Sequence, residues 1–383
     1  MLIEALSLLA AHLSFHFVEG LPRGPSGKMR RPELREGRRA GSRLRRTCIE
    51  PNKPRVADRP AGLLNQPETF MSKIAKTFCT LALVALMPLA HAAFPDHPIN
   101  FIVPWGAGGG ADLLARTSSK IMEKGLGVSL PVINVPGADG LVGMTKLLTS
   151  PADGYSMAVL IGDTYALLTR KNPPFTLDQI IPLAIMIQQP SGLWVNAKGP
   201  WKTWDDVVAA AKKKTLTVAV TGFGSADDIS TRYLKFKGVD LQSVPFAEPG
   251  MRYSSILGGN ADIVYEQTGD VRSYFDSGKM RPVLFFYPHR VQIPAFANVP
   301  VSKELGYDVT LPQFRAIVVR AGTPPDRVKQ LADALAQVAK TPEFKAYLAQ
   351  QYADPNSYLD MPSSLTFMQG WLKQAEDTLS RSH

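Results

Sequence analysis

The sequence predicts an α/β protein of two lobes, each an open, mostly parallel sheet, joined by hinge strands. Three observations carry that reading. From residue 99 onward, short apolar runs alternate with helical periods, the pattern of strand–helix–strand units. A second series in the same order begins at residue 203. The connections 185–196 and 313–319 are apolar runs rather than polar or glycine-serine linkers, so they read as strands crossing between lobes. Lobe one is placed over 94–195 plus 315–383, and lobe two over 196–314.

The first series runs strand 99–103, helix 112–124, strand 132–134, helix 140–148 and strand 156–161. Thr203 followed by Asp206 three residues on is a capping signature, and it starts a helix through Ala211. Strand 216–220, helix 228–237, strand 242–245, helix 251–257 and strand 262–265 then repeat the first series in outline. Thr323-Pro324 and Thr341-Pro342 each set a cap residue before a proline suited to the first helical position. A last amphipathic helix covers 363–379.

Lysine and arginine number 43, aspartate and glutamate 33; residues 1–93 hold 15 of the bases and 7 of the acids, which leaves 28 and 26 elsewhere. The basic balance therefore belongs to the N-terminal segment and gives no footing for a nucleic-acid partner. From Met71, two lysines precede an apolar run over 77–90 and then His91-Ala92-Ala93, the layout of a cleaved secretory signal peptide over 71–93. Its apolar core of roughly 13 residues, interrupted by Pro88, is short of the ~20 that a membrane span needs. Residues 1–70, rich in arginine and proline, read as an upstream extension from a start assigned too early, or as a disordered basic segment. Cys48 and Cys79 both precede the cleavage point, so the exported chain would have no disulfide, cysteine metal site or thiol nucleophile. The expected location is the periplasm.

Residues 100–112 hold the most informative motif, a strand that enters a glycine-rich loop and opens a helix. Glycines allow close backbone approach, and the first free N–H groups of a helix attract an anion. Gly106, Gly108 and Ala111 nearly form a dinucleotide fingerprint. However, the next strand ends in Asn134 rather than an acid for a ribose, Pro104 interrupts the turn, and nicotinamide cofactors are not expected outside the cytoplasm. Trp105 is a candidate pocket wall, or ordinary packing. A second loop, Thr221, Gly222, Phe223, Gly224 and Ser225, also joins a strand to a helix; it reads as the other half of a carboxylate site, or as simple capping by Ser225 or Asp227. Asp163 and Thr164 follow a strand at the sheet edge where α/β ligands bind, although such pairs also cap helices. Of Glu266 and Asp270, one is expected to line a pocket and the other to cap a helix. His97 and His289 stand in no metal motif, and neither a Gly-x-Ser-x-Gly nor a His-Glu-x-x-His pattern occurs. No catalytic residue, cofactor or metal is expected.

Several separated motifs, in order, are similar to those of the solute-binding receptors of tripartite tricarboxylate transporters, the Bug-type receptors. They are residues 94–99 (FPDHPI), 103–112 (VPWGAGGGAD), 134–138 (NVPGA), 152–155 (ADGY), 244–246 (VPF), 257–262 (LGGNAD) and 299–307 (VPVSKELGY). The resemblance implies a two-lobed type II periplasmic-binding-protein fold that closes on a small carboxylate. It implies that backbone groups of Ala107, Gly108 and Gly109 receive the carboxylate, that Asp112 faces the ligand's distal or amino group, and that residues 221–225 close from the other lobe. Implied partners are a small carboxylate ligand and integral-membrane transporter subunits, with the receptor a monomer. A sensor that signals to a kinase, or an enzyme on the same fold, is the alternative. The chain departs from the common pattern at Trp105-Gly106, Asp139 and Asp163-Thr164. Added acids repel a polyanion, so the expected ligand is a small monocarboxylate with an amine or hydroxyl.

Overall fold

The computed structural model describes residues 93–246 and 248–382; the proposed leader up to residue 92 and the extension before it lie outside them. Numbered among these residues, the first lobe opens with β1 (Asn100–Val103), α1 (Gly110–Leu126), β2 (Val132–Asn134), α2 (Leu141–Thr149), β3 (Ser156–Ile161), α3 (Gly162–Ala166) and β4 (Ile180–Gln189). The second contains β5 (Ser191–Asn196), α4 (Trp204–Ala211), β6 (Leu216–Val220), α5 (Ala226–Phe236) and β7 (Leu241–Pro245). It continues with α6 (Pro249–Leu257), β8 (Ile263–Gln267), α7 (Arg272–Asp276) and β9 (Met280–Phe286). The chain then returns through β10 (Gln313–Arg320) to α8 (Pro325–Lys340), α9 (Pro342–Gln350) and α10 (Met361–Ser380).

Two five-stranded open sheets result, in the orders β2-β1-β3-β10-β4 and β7-β6-β8-β5-β9. Their topologies match strand for strand. β1 pairs in parallel with β2 and β3, as β6 does with β7 and β8, while β10 and β5 each pair antiparallel with both neighbours. The sheets are thus mixed where the sequence reading has them mostly parallel. The reversed strands are the two that cross between lobes: β10 arrives from lobe two and β5 enters it directly from β4, so each joins its sheet against the local direction.

β3 shows why the apolar runs fold this way. Both faces of the sheet are covered, so Met157 to Leu160 are all fully buried, and successive side chains point to opposite sides. Met157 and Val159 pack with Phe101, Val103 and Leu114; Ala158 and Leu160 pack with Ile102, Leu147 and Tyr165. Helix α1 buries Leu114, Ala115, Ser118, Ser119 and Met122 on one face, then stops at Gly127, whose φ of +71° ends the helix in the left-handed conformation. Thr203 and Asp206 form the expected capping box on α4. Thr341 caps α9 with Pro342 behind it, whereas at α8 the cap falls one residue late, on Pro324, with Pro325 opening the helix.

Candidate functional site

The carboxyl ends of β1 and β6 lead into two loops built alike. Gly108 has φ +82° and Gly224 φ +83°, a conformation that favours glycine. In each loop the glycine N–H donates to an aspartate four residues on, Gly108 to Asp112 at 2.9 Å and Gly224 to Asp228 at 2.8 Å. Gly109 and Ser225 then stand at the caps of α1 and α5. The first intrahelical bond of α1 runs from Leu113 N–H to Gly109, so the N–H groups of Gly110 to Asp112 have no acceptor within the helix.

Across the cleft the lobes meet reciprocally. Glu248, in the turn before α6, reaches toward Gly106, where an added Cβ would lie 3.6 Å from its Oε2; Asp139, in the turn before α2, lies against Gly222 so closely that a side chain there would collide with it. Each lobe thus sets an acid against the first glycine of the other lobe's loop. Arg170 reinforces the second contact, donating from Nη2 to the carbonyl of Phe223 at 2.9 Å. Burial raises the pKa of Asp139, with Arg170 opposing. Beside the first loop lies a cavity of about 400 Å³, walled by Gly106 to Gly110 and Leu113 from one lobe and by Glu248, Tyr253, Asp270 and Tyr274, among others, from the other.

The cleft floor is rich in buried charge. Arg252 and Glu266 form an ion pair of 2.9 Å, and Arg315 on β10 reaches Asp270 of lobe two at 2.7 Å and Gln189 at 2.6 Å. Gly110 rests on the Arg315–Asp270 pair so tightly that no side chain fits there. Burial raises the Glu266 pKa, which Arg252 opposes; burial and then Asp227 and Glu266 push Asp163 well above the ordinary carboxylate range.

The sequence-expected residues fall into distinct positions. Ala107, Gly108 and Gly109 line the cavity, yet the Gly108 N–H is already bonded to Asp112. Asp112 is 2% exposed, and its carboxylate takes Gly108, Arg116 at 2.8 Å and Asn134 at 3.0 Å, all from its own lobe. Burial would raise its pKa, but Arg116, the Gly108 amide and Asn134 hold it below the ordinary range. Trp105 is half-buried, with its carbonyl bonded to Asn134 and its Nε1 buried. Asp163 bonds Gln313 at 2.5 Å, and Thr164 donates to the Asp139 carbonyl at 2.9 Å. Thr221 N–H donates to Asp227 at 2.5 Å. Ser225 is fully buried; rather than capping α5 with its side chain, it bonds the Gly222 carbonyl at 2.5 Å and Asp227. Glu266 is engaged by Arg252, while Asp270 lines the cavity.

Glu248, Arg252, Tyr253, Arg170, Gln313 and Arg315 are absent from the sequence reading. Glu248 had a signal in the order of elements: residues 222–228 repeat the pattern of 106–112, and the turn between the second strand and second helix that follow holds Asp139 in one series and Glu248 in the other. The arginines had none, because their partners are distant in the chain.

The family described as "Tripartite tricarboxylate transporter family receptor" matches residues 114–379. Among curated relatives, "UPF0065 protein in gbd 5'region" of Cupriavidus necator is 29% identical over 293 residues, covering 74% of this chain and 87% of that protein. A TctC solute-binding protein from Polaromonas, solved without ligand, is similar at 28% identity with a TM-score of 0.58, over 75% of this chain and 99% of that one. MatC from Rhodopseudomonas palustris, solved with bound malate, shares the fold at 23% identity and a TM-score of 0.67, over 75% and all of the respective chains. With two open mixed sheets meeting at a cleft and a family match spanning most of both, the chain belongs to the tripartite tricarboxylate transporter receptors, a family of solute-binding proteins.

Proposed function

We propose that this protein is an exported receptor that captures a small carboxylate between its lobes and delivers it, as a monomer, to the membrane subunits of a tripartite tricarboxylate-type transporter. The observation that carries the reading is the pair of matched glycine loops, each ending at a helix N-terminus and each met by the opposite lobe. The helix ends supply N–H donors and the positive end of a dipole, which suit a carboxylate. Contacts from both lobes make the closed arrangement the one a ligand stabilises, and the membrane partner reads that population shift. The malate bound by the MatC neighbour supports the ligand class.

In this reading Asp112, Asp228 and Ser225 hold the loops in shape, Ala107 and Gly109 approach the ligand, and Glu266 acts through Arg252. Among the described residues no helix is long and apolar enough to cross a membrane, and no group of three His, Cys, Asp or Glu side chains is arranged to hold a metal ion. Native mass spectrometry of the exported protein tests the proposal. A retained mass of a small organic acid, lost on Arg170→Ala exchange or acid dialysis, is the expected result; a bound nucleotide or sugar would overturn it.

A further inference from the structure

Two buried polar atoms at the edge of the first sheet make no hydrogen bond: Oδ1 of Asp163 and Nε1 of Trp105. One is an acceptor and the other a donor. Trp105 lies two residues beyond β1 and Asp163 two beyond β3, and these strands are hydrogen-bonded neighbours, so their ends lie about 5 Å apart. Gly140 shows that they share a corner, since a Cβ there would lie 3.3 Å from Trp105 Nε1 and meet the hydroxyl of Thr164, the residue after Asp163. Asp163 is 3% exposed, and its other oxygen is held by Gln313 on the crossing strand. Unpaired buried groups of this kind destabilise the fold, and a ligand with matching groups recovers that loss.

Charge decides which groups those are. Asp163 faces Asp227 and Glu266 of lobe two and the cation Arg252, which is bonded to Glu266. Asp227 is filled by the Thr221 and Asp228 N–H groups and by Ser225. Four carboxylates, those of Asp163, Asp227, Glu266 and Asp270, thus share two guanidiniums, Arg252 and Arg315, at the cleft floor. A second ligand carboxylate would add to the excess, a hydroxyl would donate without reducing it, and a protonated amine does both.

We infer that the solute is a zwitterion, a small monocarboxylate with a protonated amine, whose amine donates to Asp163 Oδ1 while its carboxylate accepts from Trp105 Nε1 and the first loop. The inference rests on the carboxylate reading above. Asp163 and Trp105 are then specificity residues that read opposite ends of one molecule.

The test is calorimetric titration of the full chain at neutral pH. For chains of three to six carbons, the plain acid, its α- and ω-amino acids, its hydroxy acid and the dicarboxylate are compared at equal length. One amino acid should bind at least about tenfold tighter than its plain, hydroxy and dicarboxylate counterparts. Asp163→Asn should bring that ratio to within about threefold while the plain acid's affinity holds; Trp105→Phe should weaken all members alike, because it removes the N–H that every carboxylate uses. Cooperative thermal unfolding in both variants, with midpoints no lower than that of the parent protein, establishes that they fold. A dicarboxylate that binds tightest, or a preference for the amine that survives Asp163→Asn, overturns the inference and leaves the carboxylate reading standing. Absence of binding by any acid overturns both.

Discussion

Both oxygens of the Asp112 carboxylate are bonded within its own lobe, so this acid holds the glycine-rich loop in shape rather than reaching beyond it. Asp112→Ala strands the Gly108 N–H and the Asn134 amide, and should lower stability by about 1–3 kcal/mol as well as weaken binding; chemical denaturation beside calorimetry checks both. Gly222→Ala behaves differently. Its Cβ collides with Asp139 only while the lobes are together, so affinity should fall about tenfold with the denaturation midpoint unchanged. Acidity separates the buried carboxylates. Asp112 lies below the ordinary range, so its contribution is complete above about pH 4 and is lost as pH falls through its folded value. Asp163 and Glu266 are raised, so they penalise the fold increasingly as pH climbs from about 4 through their folded values. Thermal midpoints should therefore rise on mild acidification from neutrality and drop in stronger acid. Asp163→Asn should flatten the first limb and leave the second. The glycine-rich loop between strand and helix was legible as sequence, because a short-range motif carries it. That the Gly108 and Gly224 amides are taken by Asp112 and Asp228 was not, since residue type alone does not say which way a carboxylate turns.

The helices that open at the cleft are held by packing as much as by capping. Gly143 on α2 lies against Pro104, and a Cβ would sit 2.6 Å from the proline Cα, a backbone atom that cannot swing aside. Gly143→Ala should cost about 1–3 kcal/mol and shift the loop after β1, seen as a lower denaturation midpoint with weaker binding. The capping signals at Thr203 and Thr341 were read from sequence because a cap is local chemistry. The hinge was read only in part. Besides the β4–β5 crossing at Pro190 and the return through β10, the segment after α9 places Tyr352 at φ +48° in lobe two. There its carbonyl accepts from Thr268 at 3.1 Å, its hydroxyl donates to Asp276 at 2.8 Å, and its ring meets Phe275 and Phe296. Nothing in the surrounding sequence marks this tie, because its partners lie tens of residues away.

At the scale of the molecule, one topology is used twice, and the two copies face each other. The repeat explains why Asp139 and Glu248 stand opposite Gly222 and Gly106: equivalent turns face equivalent loops across the cleft. It also makes the central claim testable, because a solute held by both lobes must slow both loops together. The most direct measurement is hydrogen–deuterium exchange on the full chain, with and without the acid identified by mass spectrometry. Exchange should slow at residues 107–111 and 222–226 with the same dependence on ligand concentration; protection confined to one loop, or to neither, would contradict a two-lobed clamp.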